Sequence, residues 1–83
     1  MDEGFYIKRV LGGRVNSSSV GALSFWMLCE TDRWGVVELD GYCNLVITLR
    51  VSKDGKTIKK LEVDYDTFLQ LFELAKAGGE KDG

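Results

Sequence analysis

Four lysines crowd the stretch Ser52 to Lys60, SKDGKTIKK, around a single acid, Asp54. Cations at this density serve one of two ends. They keep a hairpin tip solvated and its edge from pairing with a neighbour, or they neutralise the phosphates of a nucleic acid. Other chemistries have little to work with. The chain contains no histidine, so it lacks the commonest general base and metal ligand, and no Ser-His-Asp or Cys-His arrangement can be assembled. Its 13 Asp and Glu residues show no spacing that singles out a catalytic pair. No P-loop, GxGxxG, DxDxDG calcium loop or HExxH occurs. Cys29 and Cys43 fall outside CxxC spacing, each in an apolar stretch, and read as buried free thiols. These residues point away from an enzyme and call for no metal and no cofactor.

The charge is unevenly spread. The formal net charge is only −2. Yet the segment 5–14 carries Lys8, Arg9 and Arg14 with no acid, and the segment 50–60 carries Arg50, Lys53, Lys56, Lys59 and Lys60 against Asp54 alone. The segment 61–83 reverses the balance, with Glu62, Asp64, Asp66, Glu73, Glu80 and Asp82 against Lys76 and Lys81. A basic hairpin is thus set against an acidic C-terminal end.

Positioning these charges falls to one small domain, 1–83, with 45% hydrophobic and 29% charged residues, an ordinary globular composition. Its longest apolar runs fall short of the roughly 18 to 20 residues of a membrane span. The acidic start Met1-Asp2-Glu3 has the wrong sign for a signal peptide, so an intracellular protein is expected.

Strands are expected over about 5–63. Phe5 to Leu11 is β-favouring and is stopped by Gly12-Gly13, and Asn16 to Ser19 reads as a loop. In Val20 to Glu30 the apolar Leu23, Phe25, Met27 and Cys29 share one side, with Ala22, Ser24, Trp26 and Leu28 on the other. Thr31-Asp32-Arg33 turns the chain into a short strand from Trp34 to Leu39, and Asp40-Gly41 marks a turn or bulge. Tyr42 to Ser52 follows, with Cys43, Leu45, Ile47, Leu49 and Val51 on its inner face and Tyr42, Asn44, Val46, Thr48 and Arg50 on its outer face. A two-residue turn at Asp54-Gly55 sets Ile47 against Glu62. A three-residue loop Lys53-Asp54-Gly55 with a bulge instead pairs Ile47 with Leu61 and Leu45 with Val63, which aligns the apolar faces and is the register expected.

Asp64 or Asp66 can cap a helix over about 65–77, on which Phe68, Leu71, Phe72 and Ala75 form one stripe before Gly78-Gly79. The tail from 79 to 83 is polar and expected to fray. The expected architecture is α+β, an antiparallel sheet of four to five strands followed by one C-terminal helix packed on one face. The other face carries a mixed set drawn from Trp26, Tyr42, Val46, Thr48, Arg50 and Ile58. Aromatics beside basic strands suit single-stranded nucleic acids, which are held by base stacking and by cations along the phosphates.

From Trp34 to Ala77 the order is an apolar strand ending in a basic residue, LVITLR, a glycine hairpin, KDGK, a basic lead into a strand, KKLEV, and a helix with an acidic cap and an aromatic at Phe68. This order resembles the single-stranded DNA-binding core of the positive cofactor four family of transcriptional coactivators, and more distantly the Whirly and Pur-alpha modules. The resemblance implies that Arg50, Lys56, Lys59 and Lys60 meet phosphates, that Phe68 and Leu71 belong to the helix packing surface, and that two chains dimerise. The chain departs from the family in its added N-terminal strands, its acidic total charge and the missing glycine at Lys60.

Two readings follow. The first is a single-stranded nucleic-acid-binding homodimer in transcription, replication or repair, binding DNA rather than RNA, with Lys8, Arg9, Trp26, Tyr42, Arg50, Lys53, Lys56, Lys59 and Lys60 at the interface. The second is a small protein-protein interaction module, a subunit, adaptor or inhibitor, that docks through its open sheet face, an edge strand or its acidic helix.

Overall fold

The computed structural model describes residues 5–17 and 22–79. Five strands, β1 (Ile7–Ser17), β2 (Leu23–Thr31), β3 (Gly35–Cys43), β4 (Ile47–Lys53) and β5 (Lys56–Glu62), precede one helix, α1 (Tyr65–Gly79). All neighbouring strands are antiparallel and the sheet keeps chain order, β1-β2-β3-β4-β5. The architecture is the α+β arrangement expected, with α1 packed on one face.

The core lies between that face and the helix. Alternation delivers Phe25, Met27 and Cys29 from β2, Val37 and Leu39 from β3, and Leu49 and Val51 from β4, all at most 4% exposed. The helix answers with Phe68 and Ala75, both fully buried, flanked by the half-buried Leu71 and Phe72. The Phe68 ring sits 5.6 Å from that of Phe25 and 6.0 Å from that of Phe72. Asp64 caps the helix: its carboxylate accepts a hydrogen bond from the Thr67 hydroxyl, and its carbonyl accepts the Phe68 N–H at 3.0 Å. The Thr67 bond holds the Asp64 carboxyl below its ordinary range.

Glycines that read as stops turn out to be contact points. β1 continues through Gly12-Gly13 after a bulge at Leu11, and Gly13 serves a close approach: a Cβ there would lie 2.3 Å from the Ala75 carbonyl oxygen, so the missing side chain lets α1 rest on the strand. Asp40-Gly41 is likewise no turn but the middle of β3, where Gly41 leaves room for the Phe25 ring; a Cβ there would lie 2.2 Å from it. With β3 extended to Cys43, the turn falls at 44–46. Leu45, expected on the inner face, is therefore 97% exposed, and Cys43 is half-buried. Asn16 and Ser17 are strand, not loop, and Trp34 lies in the turn after β2. There the Thr31 hydroxyl accepts the Trp34 N–H at 3.0 Å and donates to the Gly35 carbonyl at 2.9 Å. The helix continues through Gly78-Gly79 rather than stopping before them. Ser18, Ser19, Val20 and the tail Glu80 to Gly83 lie outside the described residues.

The β4–β5 hairpin corrects the expected register. Lys53 pairs with Lys56 across a two-residue turn in which Asp54 (φ 55°) and Gly55 (φ 81°) are both left-handed, as a type I′ turn requires. A bulge at Ile58 then shifts the pairing by one, so that Leu49 faces Leu61 and Val51 faces Lys59. The expected loop paired Ile47 with Leu61. Both registers bring the apolar faces together, since they differ by an even number of residues.

Candidate nucleic-acid interface

The registers place the side chains of the open face in rows across all five strands. One row reads Arg14, Trp26, Asp40, Arg50 and Lys60. The row beside it reads Asn16, Ser24, Tyr42, Thr48 and Glu62. On the other side lie Gly12, Leu28, Glu38, Ser52 and Thr57, then Arg9, Glu30 and Val36.

Arg14, Asn16, Ser24, Trp26, Asp40, Tyr42 and Arg50 are among the residues that line a shallow depression of about 280 Å³. Two aromatic side chains and two guanidiniums there share one concave surface. Arg50 donates from Nη2 and Nε to Asp40 Oδ2 at 2.8 and 3.3 Å. That hydrogen bond, and then the Asp40 charge, hold the guanidinium protonated beyond its ordinary range. Tyr42 is 40% exposed, enough for its ring to meet a ligand.

The nine residues expected at the interface do not all converge. Trp26, Tyr42, Arg50 and Lys60 lie together on the open face. Arg9 lies on the same side but further along, in an ion pair with Glu30 at 3.2 Å. Lys8 is the extra residue of a bulge in β1. Lys53, Lys56 and Lys59 alternate onto the helix side, in register with each other or with Val51. Lys53 is engaged there, its Nζ donating to the Trp34 carbonyl at 2.9 Å. The lysine-dense hairpin is thus divided between the two faces, and Lys60 shares the open face with the aromatics, at the far end of the Trp26 row, while Lys53, Lys56 and Lys59 do not.

Arg14 and Asp40 belong to the depression but not to the expected set. The same misreading hides both, glycine dipeptides taken for turns; once β1 and β3 run through them, alternation alone puts Arg14 and Asp40 beside Trp26. Along the rows Arg9, Arg14, Arg50 and Lys60 are matched by Glu30, Glu38, Asp40 and Glu62. The acids Glu30 and Glu38 lie with Arg9 at the end nearest the β2–β3 turn, whereas Arg14, Arg50, Lys60 and the two aromatics lie toward the opposite end, together with Asp40 and Glu62.

Among the described residues no cluster of potential ligands could hold a metal ion, and no helix is long and apolar enough to cross a membrane. Comparison with models of known families, with curated proteins and with solved structures finds no match.

Proposed function

We propose that the open sheet face binds single-stranded nucleic acid, with DNA as the substrate implied by the resemblance to the coactivator core. The observation that carries this reading is the depression that brings Trp26 and Tyr42 together with Arg14 and Arg50, with Lys60 at the end of the same row. Bases stack on aromatic faces whatever their sequence, and guanidiniums placed beside the rings meet the phosphates that follow. The route for the strand runs across the sheet along the Arg14 to Lys60 row and away from Glu30 and Glu38, whose charge repels phosphate. Asp40 has a defined part: it fixes the Arg50 guanidinium on the surface while offsetting part of its charge.

Fluorescence anisotropy with a labelled mixed-sequence oligonucleotide, single-stranded and duplex, tests the reading. Binding is expected to favour the single strand and to weaken with salt, each phosphate contact contributing about 0.7 to the slope of log affinity against log salt. Arg14→Ala is expected to flatten that slope by about 0.7, and Trp26→Ala to weaken binding by about 1 to 3 kcal/mol with the slope unchanged. Absence of binding at low salt, or binding indifferent to both substitutions, overturns the reading.

A further inference from the structure

The two edges of the sheet are built differently. β1 is interrupted by bulges at Lys8 and Leu11 and has α1 packed along it. β5 is regular from Lys59 to Glu62 and, of the five described strands, is the one whose backbone α1 does not approach. On the helix side this leaves an open apolar groove of about 480 Å³, lined among others by Tyr6, Leu49, Leu61, Val63, Leu71 and Leu74. Within it Tyr6 is 76% and Leu74 43% exposed.

The backbone of β5 is directional as well. The Val63 N–H bonds the Ile47 carbonyl at 3.0 Å. By antiparallel alternation Leu61 also turns its N–H and C=O toward β4, while Lys60 and Glu62 turn theirs outward, to the free edge.

We propose that this edge is completed by a second copy of the same chain, β5 pairing antiparallel with β5 about a two-fold axis at Leu61. The register follows from charge. Keeping like faces together restricts the axis to a residue position. An axis at Lys60 sets cation against cation, and one at Glu62 sets acid against acid. An axis at Leu61 places each Lys60 opposite the partner's Glu62, in the pairs that exchange backbone hydrogen bonds. It also brings Leu61 onto its copy on the helix side, where it joins the two apolar grooves into one floor. Lysines on an edge strand ordinarily deter pairing. Here the acid two positions along makes β5 compatible with itself and with few other strands. The open faces of the two sheets then form one continuous surface, and the inference stands apart from what that surface binds.

Sedimentation equilibrium of the full chain, from micromolar to a few hundred micromolar, is expected to give a mass twice 9.3 kDa. Lys60→Glu and Glu62→Lys each place like charges opposite one another in both symmetric pairs and are expected to weaken the dimer about tenfold or more. Mixing the two variants restores complementarity at every pair, because one chain then carries acids at both positions and the other carries lysines at both. The mixture is therefore expected to form a heterodimer about as tight as the wild-type dimer. Far-UV circular dichroism checks that each variant keeps its sheet and helix, and the wild-type mass needs no variant. A wild-type species of 9.3 kDa throughout, a dimer untouched by either reversal, or a mixture no tighter than its components overturns the proposal.

Discussion

The two faces of this sheet are made from the same strands by the same alternation, yet they are built on different terms. On the helix side, Met27, Cys29, Leu39, Val51, Phe68 and Ala75 are completely buried, and even a strand glycine is in contact with helix backbone. On the open side, charges and aromatics alternate along the rows, and the central ones are half-buried or exposed. Close packing leaves no slack where α1 covers the first face, so a change of one methyl group is felt there. The second face has room, so its residues answer to chemistry rather than volume. Stability should concentrate on one side of the sheet and binding on the other.

The largest expected effect is on the packed side. Phe68→Ala removes the ring that meets Phe25 and Phe72 and should cost about 3 to 5 kcal/mol in urea unfolding. Trp26→Ala on the open face should cost about 1 kcal/mol. Equal losses would break the contrast between the faces.

Adjacent glycines sharpen it within one strand. Gly13→Ala drives a methyl against the Ala75 carbonyl and should cost about 1 to 3 kcal/mol. Gly12, on the opposite side, has open space where its Cβ would be, and Gly12→Ala should stay within about 0.5 kcal/mol.

The thiols report on depth within the packed side. Both cysteines face the helix, but Cys29 is fully buried and Cys43 only partly, contrary to the expectation that both are sealed. They lie six residues apart along paired strands, roughly 20 Å, too far for a disulfide. A thiol reagent should therefore label Cys43 in the native protein and Cys29 only on unfolding. Burial pushes the Cys29 thiol from 9.0 up to about 11. Between those values the folded protein keeps a proton that the unfolded chain releases, so stability should fall as pH rises through that window. Cys29→Ala should remove that part of the alkaline loss, read from unfolding curves across the same pH range.

A small effect on stability tests the open face from the other direction. Asp40→Ala breaks a half-exposed ion pair with Arg50 and should change stability by less than about 1 kcal/mol. It should also free the guanidinium, tightening single-strand binding and steepening the salt slope by about 0.7. Weaker binding would mean that holding Arg50 in place matters more than its full charge.

Much of this arrangement is legible in the residues. The alternation in Leu23 to Cys29 and in Ile47 to Val51, and the helical spacing of Phe68, Leu71, Phe72 and Ala75, place the core correctly, because burial on one face imposes a period that local sequence must carry. The errors cluster at glycines. Gly13 and Gly41 read as turns since glycine is favoured there, whereas each is needed where another group comes close, a helix carbonyl at one and an aromatic ring at the other. Those two misreadings shorten two strands, put Leu45 in the core, and hide Arg14 and Asp40 from the candidate site.

Sequence by itself determined the parity of β2, β4 and β5, since parity depends only on which residues avoid water, and with it the α+β order of a sheet followed by a helix. Tertiary structure decided the absolute register. Two hairpin registers that differ by two residues bury the same face, and only the type I′ turn with its bulge at Ile58 chose between them. It also decided which lysine of the basic hairpin shares a face with Trp26 and Tyr42. A charge density read along the chain is divided between two sides as soon as the chain becomes a strand.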